Sequence, residues 1–185
     1  GEISIGMSKP QLTQLARATD ARKLSRADLP LCLSSKKTGS TTVAATMICA
    51  KLADINVFAT GGIGGVHKNA SETMDISADL NELSKTNVSV VAAGPKAILD
   101  IPKTLEVLET LGIPVISYQN EQIPAFWSRE SGYKASIQIN QLHEVAAFIK
   151  YRDVIGLNGG CLITNPVPKK DEISRKMMAP IIKMA

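Results

Sequence analysis

The chain has 185 residues, of which 44% are hydrophobic, and a formal net charge of +4. This composition is typical of a globular domain with a sizeable core, and no apolar run approaches the roughly 20 residues that a membrane helix needs. The basic residues are scattered and the aromatic residues are few, so we expect neither a membrane nor a nucleic-acid polymer as a partner.

The three cysteines, Cys32, Cys49 and Cys161, are odd in number and have no zinc-binding spacing. Two of them, Cys49 and Cys161, lie in apolar runs that predict a helix and a strand. Because free cysteines are among the residues most often buried, we expect buried thiols in a reducing, cytoplasmic setting.

The chain opens with Gly rather than Met, and residues 3–7 alternate as a short strand does. We therefore expect a piece of a longer or processed chain. Ser8 then predicts the N-cap of a helix, because Pro10 lies in its first turn and Gln11 stands three residues after the cap.

Two polar segments precede the next predicted helix. Residues 22–29 predict a charged loop, in which spacing alone makes Lys23 a solvated surface lysine. Residues 39–42 have the sequence Gly-Ser-Thr-Thr and lead into a helix at 43–52. Such an entry offers free backbone N–H groups to an anion and also forms an ordinary N-cap. The sequence by itself favours the cap.

A glycine cluster follows a predicted buried strand at 55–59. Residues 60–67 contain four glycines and end in His67. Glycines after a strand permit close approach of a ligand to the backbone, and four exceed what a tight turn needs, so a ligand site is the favoured interpretation. A dinucleotide fingerprint is not supported, because position 67 is His, and no Gly-Lys-Ser/Thr follows to make a P-loop.

Two aspartates, Asp75 and Asp79, stand four residues apart beyond the glycine cluster. Ser77 predicts the N-cap of a helix that starts at Ala78, which leaves Asp75 in the preceding loop. A hard divalent cation takes one carboxylate and keeps its waters, whereas acids at a helix N-terminus also stabilise the helix dipole. Both interpretations stay open.

Lys96 follows a clear predicted strand at 88–93 and the pair Gly94-Pro95. Residues 97–112 predict a helix. A lysine at the carboxyl end of a parallel strand points into the crevice where open α/β sheets bind ligands. We expect Lys96 to be half-buried there and able to act as an amine nucleophile toward a sugar carbonyl. The alternative is a surface lysine in a strand-to-helix loop.

The rest of the chain predicts scaffold. The apolar segment 123–127 is either a lid on the core or a wall of a ligand site, and His143 is expected to be exposed on a helix. The other predicted elements are a strand at 113–118, an edge strand at 133–139, a helix at 142–151, a strand at 159–166 and a helical stretch after Pro168.

Six segments together resemble the pseudouridine-5′-phosphate glycosidases, a family that includes proteins named for indigoidine synthesis. The resemblance runs from near Ile3 through Pro168 in one order. The segments are FATGGIGGVH at 58–67, DISADL at 75–80, AGPKAILD at 93–100, LETLGIPV at 108–115, PAF at 124–126 and NPVP at 165–168.

The resemblance implies a single α/β domain over 1–168, in three α/β/α layers with a largely parallel or mixed central sheet. A divergent helical tail follows at 169–185. The family-like domain is expected to be truncated at both ends. The resemblance also implies a homotrimer that depends on manganese or another divalent cation. The implied reaction cleaves the C–C glycosidic bond of pseudouridine 5′-phosphate to uracil and ribose 5-phosphate.

By position in the resembling motifs, Lys96 is implied as the nucleophile that opens the ribose and forms a Schiff base at its anomeric carbon. Asp75 is implied as the metal ligand. The implied substrate contacts are Lys23, which would help to hold the phosphate, Val43, Ser77, Ala78 and Asp79, with Thr60, His67 and Asn165 as further members of the pocket. A C–C bond has no heteroatom to protonate, so two-carboxylate glycoside hydrolysis is not available. An iminium offers the electron sink, and an amine is needed to make it.

The sequence departs from the family pattern in three places. Family members carry an upstream segment with a glutamate that donates a proton to the base, and Glu2 does not match it. Ala27 and Lys68 stand where the family usually has arginine. Two alternatives therefore remain. One is a catalytically impaired homologue or subunit that binds a phosphosugar or nucleotide, and the other is a Schiff-base phosphosugar aldolase.

Overall fold

A central sheet of five parallel strands organises the computed structural model, which describes residues 1–184. The order across the sheet is β3-β4-β7-β5-β6, and each recorded pairing is parallel. These strands are β3 Val57–Ala59, β4 Ser89–Ala92, β5 Val115–Tyr118, β6 Ile137–Ile139 and β7 Leu162–Thr164. The α/β class with a largely parallel sheet is confirmed.

A second, smaller sheet pairs β1 Arg22–Leu24 with β2 Gly39–Thr41 in parallel. The helices are α1 Lys9–Arg17, α2 Asp28–Ser34, α3 Val43–Leu52, α4 Ala70–Thr73, α5 Ala78–Lys85, α6 Ile101–Thr110, α7 Leu142–Val154 and α8 Arg175–Met184, with a 3-10 turn at Lys169–Asp171. None of the helices between residues 1 and 184 has the length and apolar composition that a membrane crossing requires.

Helices cover both faces of the central sheet, which gives three layers. On one face, Val90 and Leu162 pack in a fully buried cluster with residues of α3, α5 and α6. On the other face, Ile116 and Ile163 pack against Val145 of α7. Parallel strands that are buried on both faces are expected to be continuously apolar, and residues 90–92 of β4 and 162–163 of β7 have that character.

Several helix starts lie where the sequence predicts them. Ser8 and Gln11 form a capping box at α1, and the Thr42 hydroxyl accepts a hydrogen bond from the Ala45 amide at the start of α3. Helix α6, however, begins at Ile101 rather than at residue 97. Asp100 caps it, and residues 97–100 form a turn, so the predicted start is wrong by four residues.

Three other predictions need correction. Residues 3–7 form no strand, because no neighbouring strand pairs with them and their isoleucines stay exposed. Residues 22–29 form strand β1 and the start of α2 rather than a loop, since β2 supplies a partner for β1. Strand β3 lies at the sheet edge, so it is not buried, and Val57 is 51% exposed. In contrast, burial of Cys49 and Cys161 and exposure of His143 are confirmed.

A partly buried ion pair joins the segment after β1 to α5. The Arg26 guanidinium donates to both oxygens of Glu82, at 2.6 and 2.8 Å, and the Thr86 hydroxyl donates to the same carboxylate. The Glu82 side chain is only 2% exposed, whereas that of Arg26 is 53% exposed. Burial by itself raises the pKa of Glu82, but the hydrogen bonds from Arg26 and Thr86 and the charge of Arg26 together hold that pKa below its ordinary value.

This lowered pKa predicts a pH-dependent contribution of Glu82 to stability. A glutamate of ordinary pKa, near 4.3, takes up a proton in the unfolded chain before folded Glu82 does. The stabilisation from ionised Glu82 is therefore complete above about pH 5 and is lost as the pH falls through the lowered pKa. We expect the melting temperature of wild type to exceed that of Glu82→Gln at pH 7, and the difference to shrink by pH 3.5.

Glu109→Gln is the matched control, because Glu109 is exposed on α6. Its melting temperature should differ little from that of wild type at each pH. A wild-type advantage over Glu82→Gln that stays constant between pH 7 and 3.5 would contradict the assignment.

Candidate active site

Three predicted site segments meet at the carboxyl edge of the sheet. Thr60 follows β3, Lys96 follows β4 and Asn165 follows β7, and these three strands are neighbours. Backbone hydrogen bonds fix two of the segments, since the Thr60 amide donates to the Val91 carbonyl at 2.9 Å and the Asn165 amide donates to the Ala92 carbonyl at 2.8 Å. Open parallel sheets bind ligands at this edge.

The glycine turn, residues 60–67, packs against the chain's own atoms. A Cβ added to Gly62 would lie 2.5 Å from Cδ2 of Phe126, and one added to Gly64 would lie 2.1 Å from Oγ of Ser77. A Cβ on Gly65 would lie 2.5 Å from the Thr104 hydroxyl. These three glycines are therefore required for internal packing, which the sequence-based ligand interpretation did not anticipate.

Asp79 joins the glycine turn to the start of α3. Asp79 is 5% exposed. Its Oδ1 accepts a hydrogen bond from the Ala44 amide and its Oδ2 accepts one from the Gly64 amide, both at 2.8 Å. At the start of α3, the Ala44 amide is thus bonded to the Asp79 carboxylate and the Ala45 amide to the Thr42 hydroxyl. Ser77 caps α5, since its Oγ accepts from the Asp79 amide at 3.2 Å.

His67 and Asp75 form a second, more exposed pair. Nδ1 of His67 lies 3.8 Å from Oδ2 of Asp75, with side chains 42% and 62% exposed, and the His67 amide donates to the Asp75 carbonyl at 3.0 Å. Within residues 1–184, no group of three or more His, Cys, Asp or Glu side chains is arranged to hold a metal ion. The chain can therefore offer a cation Asp75 and His67, with water as the other ligands.

Lys96 is exposed rather than half-buried. Residues 97–100 form a turn, so Lys96 stands on a bend and not in the first turn of a helix. Its amide donates to the Ile63 carbonyl of the glycine turn at 3.1 Å. Its side chain borders a cavity of about 260 Å³, whose other walls include Phe126, Trp127 and Ile181 of α8. The backbone of Lys96 is thus bonded to the glycine turn, whereas its side chain is more open to solvent than predicted.

The remaining predicted residues lie on the side of the small sheet or at α5. Lys23 is exposed on β1 and pairs in register with Ser40 of β2, which leads into α3. Val43 is the first residue of α3 and is half-buried, and Ala78 is exposed at the first position of α5. The Asp79 carboxylate links the start of α3 to the glycine turn. Lys23 is connected to the start of α3 through the pairing of β1 with β2.

A cavity of about 1430 Å³, larger than the one beside Lys96, lies elsewhere, among residues 1–18, α2, α3 and β2. None of the predicted site residues lines it. Size therefore does not locate the chemistry in this chain, and the carboxyl edge of the sheet is the better candidate because it gathers reactive side chains.

Two features of the site were missed by the sequence reasoning. The Arg26–Glu82 pair was missed because residues 22–29 predict only a solvated loop. Phe126 was missed as a strained residue: its φ is 61°, in a region that bulky side chains rarely adopt. No local sequence signal predicts such a conformation for phenylalanine.

The whole chain, residues 1–185, matches the family described as Indigoidine synthase A like protein. It is 56% identical to a pseudouridine-5′-phosphate glycosidase of Paracoccus denitrificans and 52% identical to one of Geobacillus kaustophilus, covering all of this chain and 62% and 61% of those proteins. The chain therefore spans about three fifths of the length of these curated relatives.

Two solved structures share the fold closely. One is an indigoidine synthase A-like protein from Thermotoga maritima, with a TM-score of 0.90 and 33% identity over 97% of this chain and 60% of that one. The other is the prealnumycin C-glycosynthase AlnA in complex with ribulose 5-phosphate, with a TM-score of 0.92 and 34% identity over 97% of this chain and 59% of that one.

The geometry of Asp79 predicts a large effect of a small substitution. Asp79→Asn keeps the shape of the side chain but replaces one acceptor oxygen by an NH₂ donor, which then faces the amide of Ala44 or Gly64. A buried donor without an acceptor costs about 1–3 kcal/mol. We expect the free energy of unfolding in urea to fall by about that amount.

Asp171→Asn serves as the control, because Asp171 is exposed in the 3-10 turn. Its free energy of unfolding should stay within about 0.5 kcal/mol of wild type. Equal stability of the Asp79 and Asp171 variants would show that the two amide contacts are dispensable.

Proposed function

Since the chain belongs to the family of indigoidine synthase A-like proteins, we propose that it cleaves the C–C glycosidic bond of pseudouridine 5′-phosphate. The products are uracil and ribose 5-phosphate. The observation that carries the proposal is the position of Lys96, an amine at the carboxyl edge of the sheet beside the glycine turn. The names of the relatives at 52–56% identity support the substrate.

The proposed chemistry begins at Nζ of Lys96. The neutral amine forms a bond to C1′ of the ribose as the bond from C1′ to the ring oxygen breaks, and the ring oxygen takes up the proton that the nitrogen loses, which opens the sugar. The nitrogen lone pair then forms an iminium to C1′ while the C–C bond to uracil breaks. The electron pair stays on C5 of uracil and takes up a proton. Water hydrolyses the iminium, releasing ribose 5-phosphate and the free lysine.

Other residues of the site are proposed to hold the substrate. Lys23 is exposed and cationic, which suits a phosphate. The side chains around the glycine turn offer hydroxyl, imidazole and carboxylate groups, and the Asp79 oxygens keep further lone pairs beyond the two backbone contacts. The proposed substrate-contacting set is Lys23, Val43, Thr60, His67, Ser77, Ala78, Asp79 and Asn165.

Asp75 is the proposed ligand of Mn²⁺ or another divalent cation. One exposed carboxylate beside an imidazole suits a hard ion that keeps most of its waters. When bound, such an ion would supply positive charge near the leaving base. The chain's own contribution is to hold Asp75 by the backbone bond from the His67 amide.

We also propose a homotrimer in a reducing, cytoplasmic setting. The outer side of α7 and the turn after it expose Tyr151, Val154 and Ile155, each at least 66% accessible to solvent. A helix that is apolar on both sides is typically covered on both sides, which supports association. The three buried free thiols support the reducing setting.

Trapping of the imine tests the proposed role of Lys96. Borohydride reduces an imine between lysine and ribose 5-phosphate to a stable secondary amine, which adds a fixed mass to the peptide that contains Lys96. We expect this adduct in wild type and its loss in Lys96→Met. Lys51→Met is the matched control, because Lys51 is exposed at the end of α3, and it should be trapped like wild type.

Uracil release from pseudouridine 5′-phosphate separates the glycosidase from its alternatives. Trapping together with uracil release supports the glycosidase, whereas trapping without release favours a phosphosugar aldolase or an impaired homologue. Absence of both in wild type would overturn the proposed function.

The metal assignment makes a separate prediction about binding. Asp75→Asn should weaken Mn²⁺ binding about 10-fold or more, measured by the electron paramagnetic resonance signal of free Mn²⁺, because it removes the charged ligand. Asp54→Asn is the control, since Asp54 is exposed in the turn after α3. Equal Mn²⁺ affinity in the two variants would exclude Asp75 as the ligand.

A further inference from the structure

Phe126 adopts a backbone conformation that its bulk disfavours. Its φ is 61°, and positive φ is a real outlier for a large side chain. Such strain persists only where the surrounding structure imposes it, and it is concentrated at functional sites.

Hydrogen bonds hold the backbone of residues 124–128 across the end of β4. The Phe126 amide donates to the Ala93 carbonyl at 2.9 Å, and the Ala125 amide donates to the Ser128 carbonyl at 2.8 Å. This segment lies so close to Gly94 that a Cβ there would be 2.1 Å from the Pro124 carbonyl oxygen. The loop is therefore fixed by the sheet edge, and the Phe126 ring has a defined direction.

The ring of Phe126 lies so close to Gly62 of the glycine turn that a side chain at that position would collide with it. A Cβ on Gly62 would lie 2.5 Å from Cδ2 and 2.8 Å from Cε2 of the ring. The next residue, Ile63, exchanges backbone hydrogen bonds with the Lys96 segment: its amide donates to the Gly94 carbonyl at 3.2 Å and its carbonyl accepts from the Lys96 amide at 3.1 Å.

We propose that Phe126 is the positioning residue for Lys96. Its ring presses on Gly62 and thereby fixes the glycine turn, and the turn fixes the backbone from which the Lys96 amine projects. The same ring borders the cavity beside Lys96, so a displacement of the ring changes both the location of the amine and the wall next to it. The proposal rests on the proposed function only for the role of the amine in imine formation.

The first test measures the placement of Lys96 with and without a sugar. Phe126→Leu keeps an apolar side chain but removes the ring, and Phe126→Tyr restores it. Because misplacement of a reacting group by about 1 Å can cost about 100-fold in rate, we expect Phe126→Leu to slow imine trapping with ribose 5-phosphate by about 10-fold or more at saturating sugar. The concentration for half-maximal trapping should change much less, and Phe126→Tyr should restore the rate.

Phe148→Leu is the matched control, because Phe148 lies on α7 and packs against the cluster of Ile116, Val145 and Ile163. It makes the same chemical change without touching the glycine turn. Reductive methylation of Lys96 with formaldehyde, followed by mass spectrometry, reports the surroundings of the amine without any sugar. Its rate should change in Phe126→Leu and not in Phe148→Leu, while methylation of Lys51 stays constant in both.

The second test is a double-mutant cycle between Gly62 and Phe126. Gly62→Ala alone should lower the melting temperature and change Lys96 methylation, because the new methyl group collides with the ring. In the Phe126→Leu background, Gly62→Ala should have a smaller effect on the melting temperature and on Lys96 methylation, because the ring is absent. Additive effects of the two substitutions, or unchanged Lys96 methylation in Phe126→Leu, would overturn the proposal even if the proposed function holds. Absence of ribose 5-phosphate trapping in wild type, with methylation responding as expected, would instead overturn only the proposed function.

Discussion

One buried carboxylate determines how the candidate site is assembled. Asp79 accepts a hydrogen bond on each oxygen, one from the start of α3 and one from the glycine turn, while its own amide is held by the Ser77 cap of α5. Buried backbone N–H groups need partners, and one side chain here supplies two of them in separate elements. Asp79 therefore helps to fix the relative positions of α3, α5 and the glycine turn, which also pack together in the buried cluster.

The site that results is made mainly from close backbone packing. Gly62 lies under the Phe126 ring, and Gly64 lies against Ser77, so the glycine turn has little freedom to move. Lys96 is attached to that turn by a backbone hydrogen bond to Ile63. An exposed side chain thus projects from a backbone that the glycine turn fixes. This arrangement suits an amine that must reach a bound carbon atom repeatedly and in one orientation.

A second long-range contact links the small sheet to the same helix. The Arg26–Glu82 pair joins the segment after β1 to α5, one turn beyond Asp79. Lys23 belongs to β1 and is therefore held, through Arg26 and through the β1–β2 register, at a set distance from α5. The proposed phosphate-binding residue Lys23 and the proposed substrate contacts at the start of α5 are parts of one connected scaffold, although they are far apart in the chain.

The sequence by itself determined the elements whose signals are local. The capping box of Ser8, the Thr42 and Ser77 caps and the apolar strand β4 involve residues at most a few positions apart, so their patterns predict them. The tertiary structure alone decided the rest. Asp79 meets Ala44 across 35 residues and Arg26 meets Glu82 across 56, while the edge position of β3, the exposure of Lys96 and the strained φ of Phe126 depend on which elements become neighbours. Hydrogen bonds and steric contacts act over a few ångströms in space, and sequence patterns reveal them only where the chain itself keeps the partners close.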